Sequence, residues 1–173
     1  MKIATPRVDL RLLDDGDGAL YASLYGDPAT MAFVAPALEP ARLARALTAT
    51  CSANMATPPR RRTWVIRDRA LARDLGLIGL IWDGAPEGDR HGAELGVMLP
   101  PAWQDRGVAR EAIAAVCDHA FAELGLAFLH TSHAPDHALA AGLMRRTGFV
   151  PQPPLAGEGV RRWRRLRDQD VLP

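Results

Sequence analysis

Residues Glu94 to Ala109, reading ELGVMLPPAWQDRGVA, carry the chemically most suggestive spacing in the chain. A strand-like pattern runs into Pro100-Pro101, which ends it because proline cannot donate to a ladder. A short turn, Gln104-Asp105-Arg106-Gly107-Val108-Ala109, then opens directly into a long amphipathic segment. The first amides of a helix lack intrahelical partners and carry about half a positive charge, so such a turn can cradle an anion such as a pyrophosphate. Gly107 lets the backbone approach the anion closely, and Arg106 and Arg110 add charge beside it. On these residues alone, an ordinary strand-turn-helix with glycine in its turn fits equally well or better. Neither a Walker A nor a G-x-G-x-x-G pattern is present, which disfavours nucleoside triphosphatases and dinucleotide-binding folds.

Other reactive side chains give weaker signals. Cys51 and Cys117 lie far apart without metal-ligand spacing and read as reduced packing residues, so no metal is expected. His91, His119 and His130 read as packing or surface histidines. Arg161-Arg162-Trp163-Arg164-Arg165 with Arg167 is a basic cluster around an aromatic, a pattern found on nucleic-acid surfaces. The favoured reading is a terminal strand whose arginines alternate outward while Val160, Trp163 and Leu166 contact protein. With 21 basic against 20 acidic side chains there is no global basic field, so nucleic acid is not an expected partner. Trp64, Trp82 and Trp103 read as core or pocket-wall residues.

These residues must be positioned by a globular framework. The chain has 173 residues, 48% hydrophobic and 24% charged, which fits one domain over residues 1–173 with a sizeable core. The longest apolar run, Leu75 to Trp82, is far short of the ~18 residues of a membrane span. No secretory leader pattern opens the chain, and a soluble, cytoplasmic protein is expected. Alternation in Val8–Leu12 predicts a first strand, followed by helices over 14–28 and 39–52. Strands are expected at 63–67, 77–82 and 93–99. The strongest helical stripe runs from Gly107 to Leu124, with Ala112, Ile113, Val116, Cys117 and Ala120 on one face. A strand at 127–132, a short helix at 136–147 and terminal strands at 149–150 and 160–166 complete a mixed sheet flanked by helices.

The six turn residues match the Q/R-x-x-G-x-G/A signature of the GNAT superfamily of acyl-CoA-dependent N-acetyltransferases. The resemblance extends over roughly residues 5 to 166. Thr5-Pro6-Arg7-Val8-Asp9-Leu10-Arg11 and Asp27-Pro28 with Met31 resemble the opening of a branch that acetylates N-terminal amines of ribosomal proteins. Trp64-Val65-Ile66, Leu77-Ile78-Gly79, Glu94-Leu95-Gly96 and Gly148-Phe149 continue it. The resemblance implies an α/β (α+β) GNAT fold: a mixed, mostly antiparallel, splayed sheet of six to seven strands with about four flanking helices.

It also implies chemistry. The strand at 94–99 would splay from that at 127–132, with the pantetheine arm of acetyl-CoA paired near Val97, Met98 and Leu99. The cofactor site would comprise these three with Gln104, Asp105, Arg106, Gly107, Val108, Ala109 and Arg110. An amine attacks the thioester directly, and it must first lose a proton. Glu94 is the leading candidate base, weighed evenly against a solvated strand carboxylate, and His137 and His133 rank second. Met31, Phe33 and Trp64 would contact the acceptor, a protein N-terminus or a small-molecule amine. Relatives often carry Asn, Ser and Tyr where this chain has His137, Ala140 and Met144, so the usual proton donors to the thiolate are missing. The alternatives are a catalytically weak CoA sensor or partner-binding module. Homodimers are common among relatives, though the sequence gives no independent sign of one.

Overall fold

The computed structural model describes residues 2–84, 91–155, 157 and 159–167. Its strands are β1 (Lys2–Ala4), β2 (Val8–Leu12), β3 (Arg61–Asp68), β4 (Arg73–Trp82), β5 (Gly92–Met98), β6 (Phe128–His133), β7 (Val150–Pro151) and β8 (Arg161–Leu166). They form a single eight-stranded sheet in the order β1-β2-β3-β4-β5-β6-β8-β7. Every neighbouring pair is antiparallel except β5–β6, which is parallel. The helices are α1 (Gly18–Tyr25), α2 (Pro28–Met31), α3 (Pro40–Asn54), α4 (Val108–Ala122) and α5 (Ala138–Arg146). The sheet thus exceeds the expected six to seven strands, because Lys2–Ala4 is too short to show alternation and becomes a strand by pairing with β2.

Period-two alternation divides the core between two faces. Trp64 and Ile66 of β3 point to one face, where Leu95, Val108, Ala112, Ile113, Val116 and Met144 pack with them under α4 and α5. Val65, between them, points to the other, joining Leu13, Tyr21, Leu24, Leu47 and Leu77 under α1 and α3. The stripe expected over 107–124 is observed as α4, one residue shorter at its start, where Gly107 stands just outside the helix with φ +77 and no side chain to offer its amides, and two shorter at its end. The single helix expected over 14–28 is instead a 3-10 turn (Asp15–Asp17), α1 and α2. The Asp27 carboxylate caps α2 by accepting from the amides of Ala29 and Thr30.

A charged network ties the first helical layer to the sheet. The Arg11 guanidinium donates to both oxygens of Asp17, at 2.8 and 2.6 Å, and to Asp74 at 2.9 Å, while Arg67 donates to the other oxygen of Asp74 at 2.8 Å. Burial opposes ionisation of Asp17, but the hydrogen bonds from Arg11 and the Asp14 amide outweigh it and hold its carboxyl below the usual range. Both free thiols are raised, chiefly by burial, to about 11, so neither is a thiolate nucleophile at neutral pH.

Removing Arg11 leaves the buried Asp17 carboxylate with the Asp14 amide alone, and Arg11→Ala is expected to cost about 1–3 kcal/mol in urea unfolding at pH 7. Because Asp17 is held below its unfolded value, the network's contribution is complete above about pH 4 and is lost as pH falls through the depressed folded value. The gap between wild type and variant should therefore narrow in acid. A gap constant from pH 7 to pH 3 would show that Asp17 does not carry the effect.

Candidate functional site

The parallel pair creates the opening. β5 and β6 are in register at Gly92–Phe128, Ala93–Leu129 and Glu94–His130 and at no later residue. Beyond that point β5 continues along β4 and β6 continues along β8, so the two strands diverge after Glu94. The His91 carbonyl accepts from Ala127, on the β6 side, and the Gly92 carbonyl accepts from Asp83, on the β4 side. Backbone groups of successive strand residues alternate sides. The carbonyl of Leu95 and the amide and carbonyl of Val97 therefore face the gap beyond the last paired position. Glu94 is exposed and points to the face opposite Ala93 and Leu95, beside His130, whose Nε2 meets Asp83 at 2.8 Å.

The far end of β5 leads to the uncapped start of α4. The Gln104 side-chain amide donates to the Leu99 carbonyl at 3.0 Å, closing the turn. Asp105 and Gly107 both take left-handed conformations, φ 56 and φ 77, on either side of Arg106. No side chain caps α4, so the amides of Val108, Ala109 and Arg110 are left as donors. Such concave runs of backbone N–H groups bind anions. Trp103 carries two guanidinium groups over its ring, Arg106 at 5.1 Å and Arg73 at 5.7 Å from the centroid. Val97 and Met98 are half-buried, Leu99 is buried and Arg110 is exposed.

Arg7 also reaches this turn. Its guanidinium donates to the Arg106 carbonyl at 2.8 Å and lies 3.3 Å from Glu111, while its amide donates to the same carboxylate at 2.8 Å. Thr5 donates to Glu111 as well. A carboxylate in the first turn of α4 suits the helix dipole but would repel a bound anion, and Arg7 offsets that repulsion. Residue types near the turn gave no sign of this contact, because it spans about a hundred positions of sequence and forms only when β1–β2 packs beside α4.

On the β6 side of the gap lies an open cleft of about 580 Å³, lined by Pro28, Met31, residues 32–37, Ala134 and Asp136. Phe33 stacks on His137 with ring centroids 4.4 Å apart. His133 Nδ1 lies 2.7 Å from the Ala134 carbonyl, and Trp163 Nε1 donates to His133 Nε2 at 2.9 Å. Those partners demand the neutral Nδ1–H tautomer and leave His133 no free lone pair for a base. Burial pushes His137 below its ordinary value, against the pull of Asp136, so it is neutral at pH 7.

The structure thus brings Met31, Phe33 and His137 together and strings Glu94, Val97 and the turn along one strand-helix path. Trp64, expected to contact the acceptor, is fully buried instead: alternation on β3 turns it inward, edge-on to His119 at 6.1 Å, with no surface to offer a ligand. Met144 is likewise buried. Among the described residues no group of His, Cys, Asp and Glu has a metal-binding arrangement, and no helix is long and apolar enough to cross a membrane.

The family model for the acetyltransferase (GNAT) domain matches residues 7–150. Solved structures share the fold at low identity. An acetyltransferase from Agrobacterium tumefaciens is 22% identical with a TM-score of 0.79, covering 96% of this chain and 95% of its own. Spermidine N-acetyltransferase from Vibrio cholerae, solved with CoA and spermine, is 23% identical with a TM-score of 0.78, covering 94% and 96%. An acetyltransferase from Salmonella typhimurium that modifies the N-terminal serine of ribosomal protein L7/L12 is 14% identical with a TM-score of 0.79, covering 97% and 100%.

The clasp on the turn predicts a measurable coupling. Arg7→Gln and Glu111→Gln, separately and together, should show a coupling energy of about 0.5–1 kcal/mol in urea unfolding, the scale of a half-exposed ion pair. Strict additivity would mean that the clasp does not hold in solution.

Proposed function

The chain belongs to the GNAT acetyltransferase family, and from that footing we propose that it moves an acetyl group from acetyl-CoA to a primary amine by direct attack within a ternary complex. The observation that carries this reading is the continuity of the β5–β6 gap with the uncapped start of α4. A long ligand with a diphosphate in its middle suits that path: the gap offers strand-like donors and acceptors, and the turn offers amides.

In this reading the amides of Arg106, Gly107, Val108 and Ala109 bind the diphosphate, Arg106 and Arg110 add charge, and Gln104 and Asp105 shape the turn. Val97, Met98 and Leu99 line the path of the pantetheine arm. The bound thioester supplies an activated acetyl group. The Val97 amide, unpaired and aimed into the gap, is suited to stabilise developing negative charge on the acetyl oxygen. Glu94 stands at the last paired position before the strands part and takes the proton from the incoming ammonium, directly or through water. His137 is the second candidate, neutral and therefore able to accept a proton, whereas His133 is committed to Trp163 and Ala134. Neither Ala140 nor Met144 can protonate the departing sulfur. A thiol with a pKa near that of cysteine, about 8.5, can leave as the thiolate, so catalysis rests on proximity and the oxyanion contact. The acceptor is a protein N-terminus or a small molecule, and the setting is the cytoplasm.

Thiol release from acetyl-CoA over an amine panel tests the reading. CoA binding without turnover on any amine would leave only a binding protein. Glu94→Gln should lower kcat by about 10²-fold or more with CoA affinity unchanged, the usual scale for losing a general base. A fully active variant would assign the proton to another route. Gly107→Glu places a side chain at φ +77 and a carboxylate among the amides. It should abolish the thermal shift given by CoA, and an unchanged shift would remove the diphosphate assignment.

A further inference from the structure

We infer that the cleft beside the β5–β6 gap takes a small primary monoamine with an aliphatic or aromatic body, in preference to a polyamine or a peptide. The inference rests on the acetyl-transfer reading above and narrows its acceptor. The cleft adjoins the end of β6, since Ala134 follows directly on His133. One wall is Met31 with residues 32–37, and Asp136 stands on the other. Phe33 and Val34 remain 49% and 61% exposed, although Phe33 already stacks on His137. Apolar surface is therefore left for a ligand's carbon body to cover.

The charge in the lining is sparse. Asp136 is the one acidic residue among the described lining residues, and its carboxylate makes no hydrogen bond or ion pair among the described residues. One carboxylate balances one ammonium. A polyamine's further charges find no counter-ion among the described lining residues and stay in the water at the cleft's open side, where they add little to binding. A peptide's further residues find no second charged side chain among the described lining residues to orient them. A single nitrogen on a hydrocarbon body needs no second charged partner, and the cleft's volume of about 580 Å³ falls within the common range of small-molecule sites. Asp136 holds the ammonium at the cleft, and its proton passes to Glu94 or to water. The nitrogen then bonds to the acetyl carbon while the thioester C–S bond breaks, its electron pair leaving on sulfur, and the nitrogen's second proton passes through water to the thiolate, giving an N-substituted acetamide and CoA.

The test is thiol release by the full chain with acetyl-CoA and hexylamine, 2-phenylethylamine, spermidine, spermine or an alanine-initiated tetrapeptide. The two monoamines should show kcat/KM about tenfold or more above the others. Asp136→Asn should raise KM for 2-phenylethylamine about tenfold, as loss of a charge-assisted contact does, with the CoA Kd unchanged by calorimetry. Asp136→Glu should recover most of that loss, and Phe33→Ala should weaken 2-phenylethylamine more than spermine. Preference for a polyamine or the peptide, or a wild-type KM in Asp136→Asn, overturns this inference and leaves acetyl transfer standing. Turnover of no amine by protein that binds CoA overturns both.

Discussion

Backbone hydrogen bonding is obligatory in a folded interior, and the central break in this sheet is a place where it is withheld. β5 and β6 pair over three residues and then separate, each staying bonded to its outer neighbour. A strand's polar groups are rarely left without partners when water is excluded. An opening that exposes them therefore persists only where solvent or a strand-like ligand can replace the missing neighbour. The surrounding antiparallel pairs make this tolerable. β4 and β8 hold β5 and β6 along their remaining lengths, so the gap is a property of the sheet and not a frayed edge.

The same logic operates at the end of the gap. Asp105 is a non-glycine residue with φ 56, and a left-handed conformation there is strained for an L-residue. It is held by contacts on both sides: Gln104 to the Leu99 carbonyl and Arg7 to the Arg106 carbonyl. The turn is thus braced from the strand before it and from the first hairpin of the chain. The cleft shows a different economy of charge. The side chains of Met31, Phe33 and Val34 line it beside one carboxylate, Asp136, and burial holds the neighbouring His137 below its ordinary value.

The parts of this arrangement that depend on local sequence were legible in it. The 3/4 spacing of Ala112, Ile113, Val116, Cys117 and Ala120 specifies α4 without reference to anything distant, and Gly107 marks where it begins. β2 follows from the alternation of Val8–Leu12, and β3 and β5 were expected at 63–67 and 93–99 from short apolar stretches. What was not legible depends on pairing. Lys2–Ala4 is a strand only because β2 lies beside it. Trp64 looks like a pocket wall until the register of β3 turns it toward α4. Arg7 and Asp136 are ordinary surface charges in sequence, and only the packing of their elements puts one on the turn and the other in the cleft. The commitment of both His133 nitrogens needs Trp163, a residue on another strand.

The Arg7–Arg106 contact spans 99 positions of the chain. Contacts of such sequence separation carry a large loop-closure entropy and tend to form late in folding. During synthesis, β1 and β2 emerge from the ribosome long before the segment they brace. The hairpin must wait, paired only with its nearer neighbours, until α4 has been translated and has docked. A nascent chain halted before Glu111 would hold most of the first helical layer yet lack the partner of Arg7, so the bracing of the turn is completed only after α4 has been made.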